Sequence, residues 1–197
     1  MKKIHLVLAS ASPRRRELLT SIGLHFQVKP ANIEEIAIDN ESPASHVKRL
    51  AVAKAREISK TSPETWVLGA DTIVLKNRRI LGKPRDVQEA EQMLSMLSQS
   101  THIVYTGYAL VHARHPEKTR IRCVRSSVHI RGLMPEEIAS YVRTGEPMDK
   151  AGAYAIQGIG SAIVERVSGS YTNVVGLPLC EVAQDLKELE IFDFLKF

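Results

Sequence analysis

Hydrophobic residues along the chain follow two alternating patterns. Mainly apolar runs that are typical of strands occur at 4–9, 66–75, 102–112, 121–130 and 162–167. Segments with helical spacing of their apolar residues lie between these runs, and this interleaving predicts an α/β fold. The runs at 102–112 and 121–130 are joined by a polar segment and are typical of an antiparallel hairpin. We therefore expect a mixed, twisted sheet flanked by helices.

Local signals also predict where the helices begin and end. Ser12 and Pro13 are typical of a helix start, and Gly23 is typical of its end. Ser42 and Pro43 predict the start of a second helix in the same way. The remaining helices are expected from a capping box of Asp86 with Glu89, from Pro135 to Gly145, and over 180–189.

Composition is that of a globular protein able to bury a sizeable core. The chain has 197 residues, of which 44% are hydrophobic and 25% charged, and it contains no low-complexity run. We expect one domain over 1–197, or two lobes that share a cleft. The 27 lysines and arginines exceed the 22 acidic residues and give a net charge of +5, which favours a polyanionic small substrate or a nucleic acid.

Cysteine and histidine usage argues against a disulfide framework or a structural metal site. Cys123 and Cys180 lack the spacing of a zinc ligand set, so a reducing cytoplasm is expected. His112 and His115 are interpreted as residues of a solvated polar loop. The apolar stretch at the N-terminus is too short for a secretory signal and runs into arginines, and no apolar window is long enough to cross a bilayer.

Three consecutive arginines follow Pro13 at the predicted N-terminus of the first helix. Unpaired backbone N–H groups and the helix dipole favour anions there, and Arg14, Arg15 and Arg16 add guanidiniums that bind oxygen pairs. A polyphosphate is the expected ligand. The alternative is a solvated basic first turn, although cations at a helix N-terminus oppose the dipole.

Two charged residues lie within apolar patterns. Lys54 falls on the apolar stripe of the second helix, where it either extends its ammonium to solvent past an apolar stem or lines a cleft. Asp71 lies in the middle of an apolar strand and therefore requires a nearby cation or donor. Its role is that of a general base, a metal ligand or both, or else that of a structural ion-pair partner.

Two further polar residues lie in turn-rich segments. Pro84 restrains Lys83, which makes this lysine a second candidate cation. Gln157 lies in the glycine-rich segment 145–160, whose glycines allow close backbone approach to a flat ligand. Its amide has the acceptor and the donor that match the imide edge of uracil or thymine, with backbone capping as the alternative.

Seven segments, in their order and spacing, resemble the Maf family of nucleoside triphosphate pyrophosphatases over nearly the full chain. They are 8–19, 32–35, 49–55, 69–74, 82–84, 149–158 and 170–179. The resemblance implies hydrolysis of a nucleoside triphosphate to the monophosphate and pyrophosphate with a divalent metal cation, Mg²⁺ or Mn²⁺. It also implies two lobes around a central cleft, as in the inosine triphosphatase type of fold. The form of segment 149–158 is similar to that of the branch that acts on dTTP and UTP.

The resemblance also implies roles for individual residues. Asp71 matches the family's catalytic carboxylate and Glu35 a second acidic position, and both are expected to hold the metal. Lys54 and Lys83 match catalytic cations that face the phosphates. The expected substrate-binding residues are Ser10, Arg14, Arg15, Thr72 and Gln157, of which Arg14, Thr72 and Gln157 match positions tied to substrate choice.

The resemblance suggests a homodimer, with a nucleoside triphosphate as ligand and neither a membrane nor a stable nucleic-acid partner. Three alternatives remain open on the residues. The first is a family member that prefers 7-methyl-GTP or another purine triphosphate. The second is a basic nucleic-acid-binding module without turnover, although aromatic residues make up only 5% of the chain and no known binding motif is present. The third is a regulatory protein that binds nucleotides without releasing pyrophosphate.

Overall fold

The computed structural model describes residues 6–36 and 38–192. Strands and helices alternate along most of this length, as the hydrophobic pattern predicts. In chain order the elements are β1 (Leu6–Leu8), α1 (Pro13–Ser21), β2 (Gln27–Val28), α2 (Pro43–Ser59), β3 (Trp66–Lys76), β4 (Arg79–Leu81), α3 (Val87–Leu97), β5 (Ser100–His112), β6 (Arg120–Ile130), α4 (Pro135–Arg143), β7 (Val164–Ser168), α5 (Tyr171–Val175) and α6 (Leu179–Glu188).

Within the described residues, seven strands form a mixed sheet. The strand order is β2-β1-β3-β5-β6-β7, and β4 pairs with β3 outside this path. β1 is parallel to both of its neighbours, whereas β3 with β4 and β6 with β7 are antiparallel. The register between β1 and β3 places Leu6 opposite Trp66 and Leu8 opposite Leu68. The predicted mixed α/β architecture is confirmed, and β5 and β6 are neighbours in the sheet.

The chain divides into two compact units. The first comprises Met1–Asp71, Thr106–Val124 and Gly176–Phe197, and the second comprises Thr72–Tyr105 and Arg125–Val175. Strands β3, β5 and β6 each contribute residues to both units. The expectation of a single functional domain with a central cleft stays a prediction.

In the first unit, helix α2 lies unusually close to the sheet because two strand positions are glycine. A Cβ on Gly69 would lie 2.2 Å from the carbonyl oxygen of Ala51, and one on Gly107 would lie 2.5 Å from that of Val47. Ala51 and Val47 are fully buried in this contact. Any side chain at Gly69 or Gly107 would push the helix away, so these glycines set the position of α2, which carries Lys54.

In the second unit, helices α3 and α4 pack with the sheet around one apolar cluster. Leu94, Leu97, Val128 and Ile130 are fully buried there, and Tyr154 of the glycine-rich segment belongs to the same cluster. The segment 145–160 is therefore held by the core at Tyr154.

The predicted starts of α1, α2 and α3 are confirmed by their capping bonds. The hydroxyl of Ser42 accepts a hydrogen bond from the Ser45 N–H at 3.1 Å, and the carboxylate of Asp86 accepts one from the Glu89 N–H at 2.8 Å. The capping box differs in one detail, since the Glu89 carboxylate accepts from the backbone N–H of Arg85. Ser12 caps α1 in the same way as Ser42 caps α2.

Some local expectations were wrong or incomplete. His112 is not in a solvated loop: it ends β5, is 7% exposed and packs edge-on against the ring of Trp66. Strands β2 and β4 and helix α5 were not predicted, because they span two, three and five residues, too few for a periodic pattern. The first predicted strand begins at Ile4, which lies outside the described residues.

Candidate active site

Asp71 and Lys54 form a buried ion pair in the first unit. Asp71 projects from the middle of β3 and is 6% exposed, and the Lys54 Nζ donates a hydrogen bond to its Oδ1 at 2.7 Å. Only 12% of the Lys54 side chain is exposed. The expectation that Asp71 has a cationic partner is confirmed, and the alternative in which Lys54 merely extends to solvent is wrong.

The same ammonium binds a second carboxylate. The Lys54 Nζ lies 2.7 Å from Glu35 Oε1, and the Glu35 side chain is 56% exposed. Asp71 Oδ1 and Glu35 Oε1 each lie 2.7 Å from the Lys54 Nζ, so these two oxygens are separated by at most twice that distance. One lysine thus holds together the two acidic residues that the family resemblance singled out, although they are separated by more than thirty positions in the chain.

This donor set fits a divalent cation that is completed by its substrate. Mg²⁺ is commonly held by one or two protein carboxylates and takes its remaining oxygens from substrate phosphates and water. Among residues 6–36 and 38–192, no group of three or more histidine, cysteine, aspartate or glutamate side chains has the arrangement of a metal site. Asp71 and Glu35 therefore suit a metal that is shared with a polyphosphate rather than one enclosed by protein ligands alone.

Arg49 anchors the loop that carries Glu35. Its Nη2 donates to the carbonyl oxygen of Ile36 at 3.0 Å, and its Nε and Nη2 contact the Glu41 carboxylate at 2.7 and 2.6 Å. The hydrogen bond from Arg49 is the main influence lowering the pKa of Glu41, and His46 adds to it. No role for Arg49 was predicted from the sequence. The available signal was its place in segment 49–55, which also contains Lys54.

Arg15 is fixed at the N-terminal end of α1. Its Nε donates to the carbonyl oxygen of Gly176 at 2.8 Å, and its Nη1 donates to the hydroxyl of Ser10 at 3.0 Å. Burial lowers the pKa of Arg15, while the charge of Asp71 opposes this shift. Arg14 is half-buried and Arg16 is exposed. The three arginines are thus not equivalent, and Arg15 is coupled electrostatically to the acidic pair.

The other candidate residues belong to the second unit. Thr72 is half-buried and follows Asp71 in β3, so its side chain points to the opposite face of the sheet. Lys83 is exposed next to the buried Pro84. Gln157 is half-buried in the glycine-rich segment, where Gly158 has a φ of 67°. Thr72 and Lys83 therefore share a unit with the segment that carries Gln157.

A buried histidine supports the glycine-rich segment. The His102 Nε2 lies 2.7 Å from the hydroxyl of Tyr154, and the two rings meet edge-on. Burial lowers the pKa of His102 to about 4 and raises the pKa of Tyr154. The imidazole is therefore neutral near pH 7 and is a structural partner of the segment.

Comparison with known proteins assigns the family. The model of the family described as Maf-like protein matches residues 5–189. The chain belongs to the Maf family. The resemblance inferred from the motifs of this Maf-family chain is thereby confirmed.

Curated relatives of this Maf-family chain share about half of its residues. A protein of Geobacter sp. strain M21, named dTTP/UTP pyrophosphatase, is 51% identical over 187 residues, which cover 95% of this chain and 96% of the relative. A protein of the same name from Moorella thermoacetica is 51% identical over 180 residues and covers 91% of this chain and 92% of its own. Another protein of this name, from Geobacter sulfurreducens, is 50% identical over 189 residues, which cover 96% of this chain and 98% of the relative.

The fold has a more distant counterpart among solved structures. A HAM1 protein from Coxiella burnetii aligns with a TM-score of 0.51 and 17% identity, over 94% of this chain and 100% of its own. At this identity the likeness concerns the fold alone. Among the described residues of the Maf-family chain, no helix combines the length and apolar character required to cross a membrane.

Proposed function

We propose that this Maf-family protein hydrolyses dTTP and UTP to the nucleoside monophosphate and pyrophosphate. The observation that carries the proposal is the Lys54-centred cluster, in which one buried ammonium contacts both Asp71 and Glu35 at 2.7 Å. Phosphoryl-transfer chemistry depends mainly on charge neutralisation and positioning, and this cluster offers both. The names of the relatives with about 50% identity support the choice of substrate.

Asp71 and Glu35 are the proposed ligands of a divalent metal, Mg²⁺ or Mn²⁺. Such a metal would neutralise phosphate charge and lower the pKa of a bound water. Asp71 would accept the proton of the attacking water at its carboxylate, since it is the more deeply buried of the two acids. Lys54 has three N–H donors, so it would serve a phosphate oxygen while remaining hydrogen-bonded to a carboxylate.

The phosphate-binding residues are proposed to be Ser10, Arg14, Arg15 and Lys83. Arg15 is held by Ser10 and by the Gly176 carbonyl, so its guanidinium loses little freedom on binding. Arg14 lies on the first turn of α1, where backbone N–H groups also favour an anion. We propose that Lys83 contributes a further positive charge to the same substrate.

Base recognition is proposed to depend on Gln157, together with Thr72 and Arg14. The Gln157 amide oxygen would accept the N3–H of thymine or uracil, and its NH₂ would donate to an adjacent carbonyl oxygen. Cytosine presents an acceptor at N3 and a donor at N4, so it would pair with Gln157 only if the amide were turned over. A Gln157 amide held in the orientation that suits the imide would therefore accept dTTP and UTP alike and discriminate against CTP.

We also propose that the protein is a cytoplasmic homodimer and that residues 1–197 act as one domain. The resemblance to the family supports the dimer. The two cysteines are free, which is compatible with a reducing compartment. Sedimentation equilibrium at several protein concentrations tests the oligomeric state, and a single monomeric species throughout would contradict it.

The first test is turnover of a nucleotide panel with Mg²⁺ or Mn²⁺. The panel contains dTTP, UTP, CTP, GTP, ATP and 7-methyl-GTP, and pyrophosphate is measured separately from orthophosphate. Pyrophosphate chiefly from dTTP and UTP is the expected result. Pyrophosphate chiefly from a purine would retain the chemistry and reject the assigned specificity. No turnover, together with salt-sensitive binding of oligonucleotides, would favour the nucleic-acid-binding module.

A further inference from the structure

The glycine-rich segment of the second unit surrounds a carboxylate that has no role in the proposed reaction. This carboxylate belongs to Glu146, which follows Gly145 at the end of α4. Its Oε1 accepts hydrogen bonds from the Gly160 N–H at 2.9 Å and from the Tyr141 hydroxyl at 2.8 Å. Its Oε2 accepts one from the Ile159 N–H at 3.0 Å. One side chain therefore satisfies two backbone donors in a segment without a strand partner.

Tyr141 extends this network to the other side of Gln157. Its hydroxyl oxygen accepts a hydrogen bond from the Ala155 N–H at 3.1 Å while its proton is donated to Glu146. Ala155 precedes Gln157 by two positions, and Ile159 follows it by two. The backbone on both sides of Gln157 is therefore tied to the same pair of side chains.

Two glycines allow this pair to approach the backbone. A Cβ on Gly158 would lie 2.5 Å from Glu146 Oε2, and one on Gly160 would lie 2.4 Å from both the Tyr141 hydroxyl oxygen and the Ala155 carbonyl oxygen. The positive φ of Gly158 also disfavours any other residue. The absence of a side chain at these two positions thus leaves room for the Glu146 carboxylate and the Tyr141 hydroxyl.

The Glu146 carboxylate is also held in its charged form. Burial alone would raise the pKa of Glu146, but the hydrogen bonds from Gly160, Tyr141 and Ile159 outweigh it, and the pKa is lowered. An ionised carboxylate accepts at both oxygens, whereas an amide has one acceptor and turns an NH₂ toward one of the backbone donors. The conservative change Glu146→Gln therefore disturbs this network with little change in size.

From these contacts we infer that Glu146 and Tyr141 are positioning residues that fix Gln157 for base selection. The inference rests on the proposed function, because it assigns to this network the placement of the residue whose amide reads the base. Neither residue is required to touch the substrate. Their effect on selectivity passes through the backbone from Ala155 to Gly160, since this is the stretch that they bind.

The test is a double-mutant cycle of Glu146→Gln with Gln157→Ala, measured as the ratio of kcat/KM for dTTP to kcat/KM for CTP. Glu146→Gln is expected to lower this ratio by about tenfold, within the range of a lost base-edge contact. In the Gln157→Ala background the same change is expected to have almost no further effect on the ratio. Tyr141→Phe is expected to act in the same direction, and Glu136→Gln, at an exposed position on α4, serves as the matched control.

Hydrogen exchange provides a readout that does not depend on turnover. In Glu146→Gln the amides of Ile159 and Gly160 are expected to exchange faster, while that of Leu94 in α3 keeps its protection. General loss of protection in Glu146→Gln would mark misfolding, and Tyr141→Phe would then decide the question with the same selectivity measurement.

Each outcome separates this inference from the function on which it rests. Unchanged selectivity in Glu146→Gln and Tyr141→Phe, with reduced selectivity in Gln157→Ala, would overturn the positioning role alone. Independent, multiplying effects in the double variant would also overturn it. If Gln157→Ala leaves the ratio unchanged, the proposed base reading fails and the inference fails with it. Absence of pyrophosphate release by the wild-type protein would reject the proposed function itself.

Discussion

Asp71 in the first unit and Glu146 in the second are both carboxylates removed from full exposure, yet their partners differ. Asp71 is bound by the ammonium of Lys54, which also binds Glu35. Glu146 is bound by two backbone N–H groups and a tyrosine hydroxyl. The ammonium of a flexible lysine side chain is able to exchange a carboxylate partner for a phosphate. Backbone N–H groups are fixed in position by the chain and cannot do so.

The kind of group that binds each carboxylate therefore distinguishes a carboxylate suited to the reaction from one suited to positioning a segment. The Lys54 cluster gathers charges that a metal and a triphosphate are able to rearrange, and this suits catalysis. The Glu146 network fixes the shape of a segment by saturating its donors, and this suits recognition of a rigid base. Substitutions in each region test this distinction, from the largest expected effect to the smallest.

Replacement of Asp71 is expected to have the largest effect on activity. Asp71→Asn removes both the proposed general base and a metal ligand and is expected to lower kcat/KM for dTTP by about a thousandfold. Initial rates of pyrophosphate release measure this change. Asp39→Asn, at an exposed position, is the matched control. Turnover at the wild-type level in Asp71→Asn would contradict the catalytic role of the Lys54 cluster.

Low pH is expected to destabilise the protein through His102, the neutral histidine that supports the glycine-rich segment. The pKa of His102 is about 4 in the folded protein, against an ordinary value of 6.5. Because the folded value is the lower one, this stabilisation is complete above pH 6.5 and is lost as the pH falls toward 4. The wild-type protein should lose about 2 kcal/mol of unfolding free energy through His102 between pH 7 and pH 5.

Urea unfolding of the wild-type protein and of His102→Gln at both pH values measures this contribution. Burial also lowers the pKa of His112, so both proteins share its part of the pH dependence, and the difference between their slopes isolates His102. Equal slopes in the two proteins would show that His102 does not contribute to the acid sensitivity.

The Asp185 carboxylate is paired with a cation, as Asp71 is, but it has no proposed role in the reaction. Asp185 is fully buried, accepts a hydrogen bond from the Tyr108 hydroxyl at 2.6 Å and is bound by the Arg122 guanidinium. Tyr108→Phe should lower the unfolding free energy by about 2 kcal/mol, because a hydrogen bond to a buried charge is lost. We expect kcat/KM at a temperature well below the unfolding transition to stay at the wild-type value. A large fall in kcat/KM would show that the contact between Tyr108 and Asp185 contributes to the reaction.

The smallest expected effect concerns the support of Glu35. Arg49→Lys removes the fork on Glu41 while keeping the charge, and it should raise the metal concentration for half-maximal activity by about fivefold. Titration of activity with Mn²⁺ measures this shift. Arg56→Lys, at an exposed position on the same helix, controls for the general effect of the substitution. An equal shift in both variants would remove the positioning role of Arg49.

The sequence by itself determined the longer elements, the family and the need for a partner at Asp71. Ser12 and Ser42 predicted their helix starts because a cap binds a backbone N–H only three residues away. The strand around Asp71 was predicted because apolar runs depend on near neighbours. The short strands β2 and β4 escaped detection because two or three residues carry no period.

Only the tertiary structure decided which groups meet. Glycine at position 69 lets α2 approach β3, and this approach brings Lys54 to Asp71. The carbonyl that holds Arg15 lies 161 positions further along the chain. Hydrophobic periodicity and helix caps depend on residues within about one helical turn of each other. The contacts of Lys54 and Arg15 depend instead on how elements distant in the sequence pack together. For this reason the residues that would carry out the reaction were named from the sequence, but the residues that hold them in place were found only in the fold.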